Sequence, residues 1–179
     1  MQNSMIWIAV GGNIPGAWGE PRDTFERAVV ELERNGLRVV VRSGLFLTPP
    51  VGRSGQPDYL NAVIGLRASI APAALLRLLK RIETGAGRRA NGHWAPRPLD
   101  LDILDHGGRI IGRPGRARMR GRIVLPHPEL EGRGFVLIPM TEVAPRWRHP
   151  RLGVDAETLL KRAPRLARGI RRLGDWKPR

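Results

Sequence analysis

The sequence predicts an α+β fold in which one antiparallel sheet carries packed helices, connected as a split βαβ sandwich. Three observations predict it. Elements alternate in the order strand, helix, strand, strand, helix, strand; two helical stretches open at or near a proline; and neither an internal repeat nor a clear linker interrupts the chain. With 179 residues, 41% of them hydrophobic, the chain suits a single domain, 1–179, with one sizeable core.

Met5 to Val10 is a short apolar strand that stops at the turn signal Gly11-Gly12-Asn13. Pro21 to Asn35 has helical spacing, with Phe25, Ala28, Val29 and Leu32 on one face and Asn35-Gly36 as its stop. Leu37 to Leu47, rich in Val, Leu and Phe, predicts one long strand. "TPPVGRSGQP" is too long for a tight hairpin, and loops of that length are often functional. Asp58 to Ser69 is the third strand, and Pro72 to Thr84 is an apolar helix with proline near its first turn. After the loop "GAGRRANG", Leu99 to Leu104 forms the fourth strand, and "HGGR" turns into Ile110-Ile111. Pro128 to Val143 and Val154 to Leu173 are expected to add helical cover, with all helices on one side of the sheet.

Composition limits the function. No apolar run approaches the roughly 18 to 20 residues that cross a bilayer, and the first residues lack the pattern of a secretory signal. The absence of cysteine excludes a disulfide framework and a thiolate metal site. A soluble, cytoplasmic protein is the expectation. The net charge of +15 invites a nucleic-acid reading. Yet lysine occurs only at Lys80, Lys161 and Lys177, and an arginine bias beside abundant Gly, Pro and Ala is also what a GC-rich genome writes on any protein. Two basic clusters stand out, the loop 113–122 ("RPGRARMRGR") and the tail within 154–179. Charge runs of this kind are usually solvated faces.

The stretch "HWAPRPLDLDIL" carries the chemistry. On a strand Leu99, Leu101 and Ile103 face one way while Asp100 and Asp102 share the other face. Their Cα atoms then lie about 6 to 7 Å apart, two rises of an extended chain. Like charges that close repel unless a cation lies between them. A hard divalent cation, magnesium, fits better than zinc, because no HxH or HExxH spacing accompanies the missing cysteines. Taken alone, the D-x-D reads first as a half-exposed strand with solvated acids. Arg88, Arg89, Arg97, Arg122 and Arg133 and the His127 of "LPHP" turn the reading toward phosphoryl transfer, which depends on positioning and charge neutralisation. Gly11 and Gly16 have Walker A spacing, but Ala17-Trp18 stands where Lys-Ser/Thr is required.

"TPPVGRSGQPDYLNAV", "RIE", "GRR", "HWAPRPLDLDIL" and "LPHPELEGRGFVLIP" together resemble the 6-hydroxymethyl-7,8-dihydropterin pyrophosphokinase family in order and spacing, from about Met5 to Gly153. The resemblance implies a ferredoxin-like α/β sandwich and transfer of pyrophosphate from ATP to the pterin hydroxymethyl group, releasing AMP in folate biosynthesis. It implies that Asp100 and Asp102 hold two magnesium ions, and that the loop arginines Arg88 and Arg97 act on the transferring phosphates. Tyr59 and Phe135 match an aromatic pair that sandwiches the pterin, Asn61 the side chain that reads its amide edge, and Thr48, Pro49 and Val51 the loop that completes recognition. His127 and Arg133 match ATP-phosphate contacts, with Glu83, Arg89, Trp94, Ile103 and Arg122 around the nucleotide. Both long loops are expected to close as lids over bound ATP. The implied partners are small molecules, with neither membrane nor nucleic acid, and the expected state is a monomer.

The sequence also departs from the family pattern. Ala90 stands where the family often has a second arginine, His93 where a cation is common and Ala95 where a glycine is frequent, while Pro98 stiffens the entry to "LDLD". A relative acting on a different pterin is one alternative that these departures permit. From another class, a basic nucleic-acid-binding module would use the two arginine clusters.

Overall fold

A strand covered on both faces reads as a nearly continuous apolar run, and β1 (Ile6–Gly12) is such a strand. The computed structural model describes residues 5–50, 55–89, 95–112 and 123–176. Within it Ile6, Ile8 and Val10 enter a core with Phe25, Ala28 and Leu32 of α1 (Pro21–Arg34) and Leu75, Leu79 and Ile82 of α2 (Pro72–Gly85). Trp7 points the other way, into a second core with Val136, Leu137 and Met140 of α3 (Gly134–Val143) and Leu159 of α4 (Ala156–Arg162). Helices therefore cover both faces of the sheet, a correction to the expectation that they lie on one side.

The sheet is antiparallel, in the order β5 (Asp100–His106), β1, β4 (Tyr59–Arg67), β3 (Leu45–Thr48), β6 (Arg171–Gly174), with β2 (Arg38–Arg42) also paired to β4. β4 (Tyr59–Arg67) runs down its middle, and β5 (Asp100–His106) lies beside β1. The long strand expected over 37–47 is two, β2 (Arg38–Arg42) and β3 (Leu45–Thr48). They break at Ser43-Gly44 because both residues bond outside a regular ladder: the Ser43 hydroxyl accepts the Val63 N–H at 2.9 Å, and the Gly44 N–H donates to Glu142 at 2.8 Å.

The last segment is corrected too. Of Val154 to Leu173, only α4 and a 3-10 turn at Pro164–Ala167 are helical. Pro164 has no N–H to continue α4, Gly169 adopts φ +72°, and the chain then enters β6 (Arg171–Gly174), which pairs with β3. The expected 128–143 helix starts late, with a 3-10 turn at Leu130–Gly132 and extended backbone at Arg133 before α3. No helix among the described residues is long and apolar enough to cross a membrane.

Between α3 and α4 the buried His149 ring closes a turn: its Nδ1 accepts the N–H of Arg151 at 3.2 Å and of Leu152 at 3.3 Å. Burial holds its pKa below the usual histidine range, against the pull of Glu131 and Asp105. The folded state then binds fewer protons than the unfolded chain below about pH 6.5, so His149 costs stability as pH falls through that range. The thermal midpoint is expected to drop between pH 7.5 and 5.5. It should drop less in His149→Asn, whose amide oxygen accepts the same N–H groups without titrating.

Candidate active site

The pairing register builds the floor of a pocket. Gly11 of β1 lies between Asn61 of β4 and Asp100 of β5, and Ala9 lies between Val63 and Asp102. These residues share the sheet face that α3 packs on, but α3 covers only the stretch around Val63 and Leu104. The remaining stretch is open. With neighbouring strands about 4.8 Å apart, Asn61 and Asp100 stand roughly 10 Å from each other across the glycine. A Cβ on Gly11 would meet Asn61 Oδ1 at 3.1 Å, so glycine gives the amide its room.

Cations gather on the two acids. Arg88 bridges Asp100 and the buried Glu83, meeting Glu83 Oε2 at 2.7 Å, and Arg97 reaches Asp100 Oδ2 at 3.1 Å. Arg133 donates to Asp102 Oδ2 at 3.0 Å and to Glu129 at 2.6 Å, and its guanidinium lies 5.6 Å from the Phe135 ring centre. Burial pushes the Asp102 carboxyl up, but His127, Arg133 and Lys80 outweigh it and hold the group below the usual range. For His127, burial lowers the pKa more than Asp102 raises it, so the ring is neutral near pH 7. Its Nδ1 accepts the Glu129 N–H at 3.1 Å, which leaves the Nε2 proton facing Asp102 at 3.7 Å.

Glu83 lies under this layer. It is 2% exposed, its Oε1 accepts the Leu101 N–H at 2.7 Å and Lys80 Nζ at 2.8 Å, and burial raises its pKa. On the other side of the floor Asn61 donates to Thr48 Oγ1 at 2.8 Å. Thr48, Pro49, Tyr59 and Phe135 wall that end, and the whole is a cleft of about 870 Å³, in the upper range for small-molecule sites.

The family model for 7,8-dihydro-6-hydroxymethylpterin-pyrophosphokinase matches residues 7–145. The chain belongs to that family. It is 36% identical over 146 residues to the 2-amino-4-hydroxy-6-hydroxymethyldihydropteridine pyrophosphokinase of Pseudomonas aeruginosa, covering 81% of this chain and 83% of the relative. The Synechocystis enzyme of the same name is 37% identical over 147 residues, covering 82% and 69%. Among solved structures, a Plasmodium falciparum HPPK-DHPS triple mutant superposes with a TM-score of 0.71 at 12% identity. That match covers 94% of this chain but 46% of the longer one, and it shows the fold. This pyrophosphokinase is an ATP-dependent transferase acting on the pterin in folate biosynthesis.

Of the residues singled out in the sequence, Thr48, Pro49, Tyr59, Asn61, Arg88, Arg97, Asp100, Asp102, His127, Arg133 and Phe135 line the one cleft. Glu83 lies beneath it. Ile103 does not face it: strand alternation turns its side chain into the core with α1 and α2, 5% exposed. Arg89 is exposed on the surface and is not among the lining residues. Val51, Trp94 and Arg122 lie outside the described residues, as do Ala90, His93 and the cluster 113–122.

Sequence reasoning missed Lys80 and Asn13. Lys80 lines the cleft three residues before Glu83, an offset that places both on one helix face. Asn13, 4% exposed, ties both long loops to the end of β1. Its Nδ2 donates to Gln56 Oε1 at 3.3 Å and Pro57 O at 3.2 Å, its Oδ1 accepts the Arg97 N–H at 2.9 Å, and its own N–H donates to Arg97 O at 3.0 Å. Only its place in a turn signal marked it in the sequence. Asn13→Ala should cost about 1 to 3 kcal/mol, from buried polar groups left unpaired. Amide hydrogen exchange should accelerate at Arg97, whose N–H loses its acceptor; unchanged exchange there would count against the pinning.

Proposed function

We propose that the two ends of the cleft divide the reaction, the pterin lying over Asn61 and the phosphates of ATP over Asp100 and Asp102. The placing of Asn61, Gly11 and Asp100 in one cross-strand row is the observation that carries this reading. Tyr59 and Phe135 offer aromatic faces for a flat heterocycle, and Asn61 offers an amide for its polar edge, oriented by Thr48. Pro49 lines the same end, and we assign Val51 to recognition of the ring with it.

The carboxylates of Asp100 and Asp102 fit magnesium. They are hard oxygen donors, and among the described residues no group of three or more His, Cys, Asp or Glu is placed to hold a metal by itself, so an ion there would draw its remaining ligands from substrate and solvent oxygens. We assign two ions to this pair. Bound magnesium would neutralise the phosphates and acidify the attacking hydroxyl.

The protein's own groups hold the nucleotide. Arg88, Arg97 and Arg133 are planar, permanently charged donors suited to phosphate oxygens, and each now pairs with one of the acids. Glu83 keeps Arg88 and Lys80 in place from below. Neutral His127 offers its Nε2–H to an anionic oxygen without adding charge. Lys80 joins them as a point charge that can follow a moving phosphate. Trp94 and Arg122 complete the nucleotide side in this proposal.

An AMP-release assay with ATP, magnesium and 6-hydroxymethyl-7,8-dihydropterin tests the assignment. Wild-type protein should release AMP only with pterin present, and Asp100→Ala and Asp102→Ala should each lose at least about 100-fold in kcat, the scale of a lost electrostatic stabiliser. Lys80→Ala should raise KM for ATP several-fold and leave KM for the pterin unchanged. AMP release that survives in both aspartate variants would refute the metal site.

A further inference from the structure

The segment after α4 makes contact with both walls of the pterin end. Its 3-10 turn presses the Leu166 carbonyl against the first residue of α3: a Cβ on Gly134 would come within 1.8 Å of that oxygen and 3.1 Å of Ile170 Cδ1. Gly134 is flanked by Arg133 and Phe135, both lining the cleft. Three residues after Leu166, Gly169 at φ +72° packs on the opposite wall, where an added Cβ would lie 2.9 Å from Pro49 Cγ. Strand β6 then runs antiparallel to β3, pairing Leu47 with Arg171 and Phe46 with Arg172, immediately before Thr48 and Pro49.

The far end is fastened as firmly. Glu142 near the end of α3 receives Arg172 Nε at 2.9 Å and the Gly44 N–H at 2.8 Å, so one carboxylate joins α3, β6 and the start of β3. Trp176 donates to the Ser43 carbonyl at 2.7 Å, packs 5.9 Å from the Phe25 ring and lies under Arg42 at 5.0 Å. These contacts hold residues 164–176 to the sheet edge independently of the cleft. Residues 164–176 themselves lie beyond residues 7–145, the part that the family model matches.

We infer that residues 164–176 form a clamp that sets the spacing between the β3 wall (Thr48, Pro49) and the α3 wall at Phe135, and so act as a positioning element for the pterin end of the cleft. The inference rests on the assignment of that end to the pterin. The clamp touches Pro49 and Gly134, whereas Asp100 and Asp102 stand on β5 and Lys80 on α2, elements that it does not pair with, and Arg88 follows α2. Its loosening should therefore separate the two substrates.

The test uses the full chain with Gly169→Ala, which adds a methyl against Pro49, and Ile170→Ala, which removes the contact with Gly134 without backbone strain. Steady-state kinetics with both substrates varied, pterin titrations in the presence of a non-hydrolysable ATP analogue, and thermal midpoints are measured together. Each variant is expected to raise KM and Kd for the pterin about 5- to 20-fold, with KM for ATP changed less than about 2-fold and the protein still cooperatively folded. Equal changes for both substrates, or none in folded protein, would overturn the clamp. Ile170→Ala decides the matter where Gly169→Ala does not fold. Should wild-type protein show no pterin-dependent AMP at all, the underlying assignment fails instead, and the two failures are distinguishable because only the first leaves wild-type activity intact.

Discussion

Two carboxylates on one face of a strand repel, and the layers around them answer that repulsion. Strand geometry keeps Asp100 and Asp102 together, so neither can turn away without breaking β5. The cations Arg88 and Arg97 answer the first and Arg133 the second, with the neutral His127 ring turned toward Asp102 beside it. Those cations need orientation of their own, which Glu83 supplies to Arg88 and Glu129 to Arg133. These two arginines are thus each held by a carboxylate farther from the centre, while Arg97 donates its Nε to the Ala95 carbonyl at 3.1 Å. Arginines arranged this way stand ready where phosphate oxygens would bind, so little side-chain ordering remains to be done when the nucleotide arrives.

The cleft exists because the second face of the sheet is only partly covered. Had α3 extended over Asn61, that face would be a closed core throughout. Arg133 stops this: its extended backbone precedes α3, whose first residue Gly134 packs against Leu166. The helix therefore begins beside the open stretch, and Phe135 stands at its rim. Ala9 and Gly11 keep the floor low in the same stretch, while Trp7 on the same strand face is large and buried under the helices. A gradient of side-chain size along one strand thus divides packing from binding.

Much of this was legible in the sequence. The helix α1 follows from a proline start, a regular apolar face and an Asn-Gly stop, and the face occupied by the aspartates follows from alternation alone. The register that brings Asn61 beside Gly11 was not legible, because it is set by pairing between segments about fifty residues apart. Nor was the break at Ser43-Gly44: local β propensity runs through it, and the groups that interrupt the ladder come from Val63 and Glu142. The final strand was hidden for a similar reason. Arg171 to Gly174 has no apolar alternation, and it is a strand because β3 presents an edge to pair with. Ile103 is a different case, where likeness to a motif groups a residue with the nucleotide while its strand parity turns the side chain into the core.

The strong positive charge of the chain is not what makes the cleft suited to phosphates. Among the described residues, four cations line it, Lys80, Arg88, Arg97 and Arg133, and four carboxylates do so too, Asp100, Asp102, Glu129 and Glu131. Glu83 beneath adds a further acid that burial drives toward its neutral form. His127, held neutral by burial, adds nothing. The site is therefore close to electroneutral inside a chain of net charge +15. A nucleoside triphosphate entering it brings a large negative charge that these side chains can orient but cannot offset, since each cation already has an acid to serve. Under the assignment proposed above, the missing positive charge enters with magnesium, and the carboxylates that exhaust the arginines are the groups that receive it. On that assignment the acids are the reason that the cleft would take phosphate together with metal rather than phosphate alone.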